Sequence, residues 1–142
     1  MENERLAFWR VVDGAIDERA IRRYAKKHAK EVLHCFKNLA VLVERLNGGV
    51  TLQQALTFGF FGSEGEDVYR IGQERKGMRE TRLYIHAMIV GGEIRVLTIG
   101  DKDTQARDVG WCHEWVRGFR NSQSVEGDTQ KTLEPERGEK GE

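Results

Sequence analysis

Arg70, Arg82 and Lys102 are the side chains of this sequence best suited to hold phosphoryl oxygens, and His86 is the natural carrier of a proton beside them. Arginine offers a planar fork that can grip two oxygens at once, whereas lysine supplies a compact point charge. All four fall between Val68 and Asp108, where three short runs rich in β-branched or aromatic residues read as strands: 68–71, 82–90 and 93–99. Gly91-Gly92 between the last two is a tight hairpin signal. Alternation along residues 82–90 places Leu83, Ile85, Ala87 and Ile89 on one side, which reads as core. Arg82, Tyr84, His86 and Met88 share the other side, expected to be open. Arg82 and His86 are then about 13 Å apart along one strand, so they meet at one phosphate only if neighbouring strands bring further cations to the histidine.

Other elements must hold that sheet. Phe8-Trp9-Arg10-Val11-Val12 reads as a first strand, stopped by Asp13-Gly14, with Asp17 as the cap of a helical region. Apolar residues from Ile21 to Leu46 recur at steps of three and four, and Asn47-Gly48-Gly49 ends the pattern. A single helix over 17–46 would be about 45 Å long, more than a domain of this size can use, so a break is expected between His28 and His34, giving a helical hairpin. Thr51 to Leu56 suggests a further helical turn, and the glycine-interrupted stretch Phe58 to Gly62 an irregular cover for the core. A last helix, capped at Asp103 or Thr104, carries a seam of Val109, Cys112, Val116 and Phe119. The expected fold is therefore α+β: a small antiparallel sheet with an N-terminal helical hairpin and a C-terminal helix, the helices on one sheet face.

Composition bounds the function. The chain of 142 residues suits one compact domain. No apolar run approaches the roughly 20 residues that span a bilayer, and Met1-Glu2-Asn3-Glu4-Arg5 does not start like a signal peptide, so a cytoplasmic protein with no membrane partner is expected. Cys35 and Cys112 are too few for a disulfide framework and sit in apolar helical patterns, where thiols stay reduced. His34-Cys35 and Cys112-His113 lack the spacing of zinc ligands, so no metal and no cofactor is expected. Net charge is zero, yet from Asn121 onward three cations face six carboxylates, leaving −3 in the tail and +3 in residues 1–120. The division expected is a domain over 1–120 and an acidic, disordered tail over 121–142.

The order of elements, together with Val68-Tyr69-Arg70-Ile71, Arg82-Leu83-Tyr84, and Ile94 to Thr98 leading into Gly100-Asp101-Lys102-Asp103-Thr104-Gln105 and Asp108, resembles the RelE/ParE toxin superfamily. The similarity is to the HigB-like and phage-derived addiction-module toxins and spans roughly Trp9 to Phe119. It implies a RelE-like fold and the toxin of a toxin–antitoxin pair, a metal-independent endoribonuclease that cuts mRNA on the ribosome and is restrained by a cognate antitoxin. The ParE branch implies instead a poison of DNA gyrase. By position, the catalytic residues implied are Arg70, Arg82 and Lys102, and Gln105 and Asp108 match motif positions read as capping and docking.

The chemistry is consistent with those residues. Metal-free RNA cleavage uses the neighbouring 2′-hydroxyl as nucleophile, so the protein orients the chain, neutralises phosphoryl charge and moves protons. Arg70 and Arg82 would clamp the phosphate, Lys102 would add charge, and His86 would carry the proton. Arg75, Lys76 and Arg79 could follow the RNA backbone, and Tyr84 could stack on a base. The chain departs from these toxins in its neutral charge, its acidic tail, its longer loop from Arg75 to Glu80, and the lack of a tyrosine after the last strand. The alternative is a binding protein of the same fold without enzymatic activity: a gyrase inhibitor, or a degenerate toxin kept for partner binding. Trp111 and Trp115, if exposed, are the first candidates for an antitoxin or homodimer contact. Arg22-Arg23 and Lys26-Lys27 read as a solvated helix face of a kind ribosome binders also present.

Overall fold

A computed structural model of the chain describes residues 8–73 and 80–132, with side chains through residue 123. Arg75, Lys76 and Arg79 lie outside the described residues, as does the tail beyond residue 132. The elements in order are β1 (Arg10–Ala15), α1 (Glu18–Lys27), α2 (Ala29–Asn47), α3 (Leu52–Ala55), β2 (Phe61–Gly65), β3 (Val68–Ile71), β4 (Thr81–Met88), β5 (Glu93–Asp101), a single 3-10 turn (Lys102–Thr104) and α4 (Gln105–Thr132). The strands form one five-stranded sheet in the order β1-β5-β4-β3-β2. The protein is thus α+β, as its sequence suggests. The sheet is mixed rather than purely antiparallel, because β1 pairs parallel to β5 while the other pairs are antiparallel.

Local chemistry accounts for the boundaries. Asp17 caps α1 by accepting from the Ala20 N–H at 3.2 Å. The helical stretch breaks at His28, whose φ of −134° and ψ of 52° leave the α region, at the near end of the expected window. Leu39, Leu42, Leu46 and Cys35 then form the buried seam of α2. Asn47 ties the end of that helix to the start of β1: its Oδ1 accepts from the Trp9 N–H at 2.7 Å and its Nδ2 donates to the Trp9 carbonyl at 3.0 Å.

One strand was not expected. Phe61–Gly65 is β2, hydrogen-bonded antiparallel to β3, and it takes in the last two residues of the stretch Phe58 to Gly62 that reads as irregular in sequence. The two are joined by Glu66 and Asp67 at φ of 58° and 65°, the geometry of a two-residue hairpin turn that Asn-Gly or Gly-Gly usually mark. Carboxylates in both turn positions hide that signal. Arg120 of α4 stabilises the turn from outside, donating to Glu66 at 2.9 Å and to Asp67 at 3.2 Å.

Both faces of the sheet are covered, which corrects the expectation of helices on one face. Leu83, Ile85, Ala87, Ile94, Val96 and Ile99 pack with the α1–α3 side in the main core. On the other face Val68, Tyr84 and Leu97 pack with Cys112 and Val116 of α4. A bulge makes this two-sidedness possible in β5: Tyr84 pairs with Thr98 but Ile85 pairs with Val96, leaving Leu97 as the extra residue that joins the α4 cluster. The seam of α4 is the one its spacing suggests, but the helix runs on to Thr132, past the expected boundary at Asn121. Cys35 and Cys112 are buried free thiols, and burial pushes each up to about 12, far above reactive range. Among the described residues no helix is long and apolar enough to cross a membrane.

Candidate anion-binding site

Arg70 and Arg82 come together at one end of the sheet. In the β3–β4 register Arg70 pairs with Tyr84, two residues from Arg82 and on the same face. Both arginines line a pocket of about 230 Å³ with Phe60, Gln73 and Glu80 among its walls. Each is oriented by a carboxylate: Arg70 meets Glu64 at 2.6 Å, and Arg82 meets Glu80 at 3.2 Å. The Arg82 side chain is only 17% exposed, and its Nε is buried with no partner. An anion entering the pocket would therefore meet a largely desolvated guanidinium whose charge is only weakly screened by water.

Glu64, which no sequence signal singles out, is the hub beside this pocket. Its carboxylate accepts from Arg70 and from Gln105 Nε2 at 3.2 Å, and its carbonyl lies 2.8 Å from His113 Nε2. Gln105 thus docks the start of α4 onto β2. The rest of the Gly-Asp-Lys-Asp-Thr-Gln segment builds the corner that starts this helix. Asp101 Oδ1 accepts from the Thr104 N–H at 3.1 Å, Thr104 Oγ1 accepts from the Asp101 N–H at 3.2 Å, and the same hydroxyl donates to buried Asp108 at 2.7 Å. Lys102 is exposed in the 3-10 turn, next to Asp101, which pairs across the strands with Thr81 of the arginine pocket.

The remaining expected residues lie elsewhere. Tyr84 is 0% exposed, so its ring belongs to the α4-side core and offers no face to a base. Its hydroxyl is buried without a partner, and burial, reinforced by the carboxylates of Asp108 and Glu64, raises its pKa. Tyr84→Phe is accordingly expected to stabilise the protein by about 1 kcal/mol in urea unfolding, since it removes an unsatisfied buried polar group; a loss of stability would show that the hydroxyl is satisfied in solution.

His86 is 1% exposed and is not brought to the arginines; Tyr84 stands between them on β4. The imidazole lies edge-on to Trp115 and to Phe119, each at 5.5 Å between ring centres, while Arg95 sits 4.8 Å over Phe119. Burial lowers the His86 pKa; Asp67 opposes this, and Arg95 and Arg120 add to it. The folded state therefore holds His86 neutral, while the unfolded chain protonates near the ordinary value of about 6.5. Stability from this group is full above that value and is lost as pH falls from it toward the lower folded pKa. Urea midpoints taken between pH 7.5 and 5 should fall for the parent and fall less steeply for His86→Leu; parallel curves would contradict this placement.

Comparison with protein-family models, with curated proteins and with solved structures gives no match. The site is accordingly read from its own geometry. It gathers two partly desolvated guanidinium groups and a carboxylate at one sheet end, an arrangement suited to a phosphodiester.

Proposed function

We propose that the protein is the toxin of a type II toxin–antitoxin pair with a RelE-like fold, a metal-independent endoribonuclease acting on mRNA in the ribosome and neutralised by a cognate antitoxin. The observation that carries this reading is the convergence of Arg70 and Arg82 on one pocket that also contains Glu80. In that pocket Glu80 accepts the proton of the 2′-hydroxyl, whose oxygen attacks the adjacent phosphorus. The bond from phosphorus to the 5′-oxygen breaks, leaving a 2′,3′-cyclic phosphate, and the departing oxygen takes its proton from water. Arg70 and Arg82 stabilise the charge that grows on the phosphoryl oxygens, and exposed Lys102 adds field at the rim. His86 has no direct part in this scheme, because Trp115 and Phe119 enclose it.

Two observations favour a second reading, a binding protein of the same fold that inhibits gyrase or only engages a partner. Both arginines already face carboxylates, and the imidazole is buried. Inducible expression in bacteria, with growth followed alongside primer extension on a translated reporter, separates the two. Growth arrest with codon-phased cuts supports the ribonuclease. Arrest without cuts but with DNA-damage signalling supports gyrase inhibition, and normal growth removes toxicity from the account.

A further inference from the structure

We propose that the groove between α1 and α4 binds a single-stranded nucleic acid segment, with Arg23, Lys27 and Arg107 on its phosphates and Trp111 stacked on a base. The groove has a volume of about 570 Å³ and shares no lining residue with the arginine pocket, although its Tyr24 and Asp101 adjoin Thr81 of that pocket. It runs along β5 beyond the point where that strand parts from β1: the last bonds on that edge join the N–H groups of Ile16 and Asp17 to the carbonyls of Val96 and Leu97.

Its two walls are helical stripes that face each other. Arg23 and Lys27, four apart on α1, form one; Arg107 and Trp111, four apart on α4, form the other. Arg23 and Lys27 make no ion pair among the described residues, and Arg107 reaches only its neighbour Asp108, at 3.4 Å. The carboxylates in the groove are engaged within the protein. Asp17 caps α1, Asp101 caps the 3-10 turn, and Asp108 accepts from Thr104. The lining itself thus balances three cations against three carboxylates that are committed to contacts within the protein, and the positive excess comes from α1, with five cations against one carboxylate in its ten residues. Trp111, 37% exposed, supplies a ring beside these cations. Cations that track a backbone beside an aromatic platform suit an unpaired nucleic acid strand, whose every base has a face to stack. An acidic peptide would match the charge but would make less use of the ring.

The inference concerns binding and holds whether or not the arginine pocket cleaves RNA. The test is fluorescence anisotropy of the full-length protein with a labelled oligouridine and its deoxy counterpart over a salt series. Binding of both assigns phosphate and stacking interactions alone, and preference for the oligouridine adds an interaction with the 2′-hydroxyl; each supports the groove. Arg23→Ala with Lys27→Ala should reduce the slope of log affinity against log salt by about 1.4, at roughly 0.7 for each phosphate no longer neutralised. Trp111→Ala should weaken binding roughly five- to 150-fold, and its intrinsic fluorescence should quench on binding in the parent alone. All three side chains are exposed, so unchanged melting verifies folding. The proposal is overturned by no binding at low salt, by a loss confined to Arg82→Ala, or by equal displacement with polyglutamate, which would mark a peptide site.

Discussion

Gly100→Ala is expected to cost about 3–5 kcal/mol, a large share of the roughly 5–15 kcal/mol that holds a domain of this size together. A methyl group at Gly100 would collide with the carboxylate of Asp108 and lie 2.6 Å from Thr104 Oγ1. Neither neighbour can step aside freely. Asp108 is buried, and Thr104 is held by reciprocal bonds to Asp101 and by its own bond to Asp108. The methyl must either open the corner between β5 and α4 or break a hydrogen bond to a buried carboxylate, and each adds to the overpacking cost. Urea unfolding of the variant beside the parent measures this, and coincident midpoints would show that the corner yields.

Arg82→Ala should reduce codon-phased cleavage about 10²- to 10³-fold, the usual loss when one preorganised donor to a developing oxyanion is removed. Arg82 is the stronger candidate of the two arginines because most of its side chain is shielded from water and its Nε has no partner. Arg82→Lys should not restore activity, since an ammonium group cannot reproduce the fork. Primer extension on a translated reporter, normalised to protein level, gives the ratio. Cuts of equal strength from parent and Arg82→Ala would remove the arginine pocket from the chemistry while leaving the fold untouched.

The parts of this fold legible in the sequence are those written in local spacing. The seam of α2 and the seam of α4 repeat at three and four, and a break between His28 and His34, found at His28, follows from length. β2 was hidden because its turn uses Glu66 and Asp67, which reach left-handed backbone without glycine and are steadied by Arg120 from 53 or more residues away. The covering of the second face was hidden for a different reason. Tyr84 and His86 alternate with aliphatic residues and so read as a solvent side, but both are half apolar and are packed against α4. Arg70 and Arg82 were found by type, whereas Glu64, which orients one of them, comes from the strand that the sequence did not reveal. Trp111 stood out as an aromatic residue, but its neighbours across the groove belong to a helix more than 80 residues earlier, a distance that periodicity does not bridge.

The Arg120 clamp sets a lower limit on how short this chain can be made. β2 is an outer strand, joined to the sheet only through β3, and its turn sits in backbone that glutamate and aspartate seldom adopt. A polypeptide trimmed after Gly118 would keep Cys112 and Val116 on the sheet but lose both Arg120 bonds, leaving the turn only the longer 4.0 Å pair of Arg117 with Glu66, so the outer hairpin would fray more readily and expose its edge to proteolysis and to pairing with other chains. Trimming after Gln123 spares the clamp, and the hairpin should then resist protease as well as it does in the intact chain.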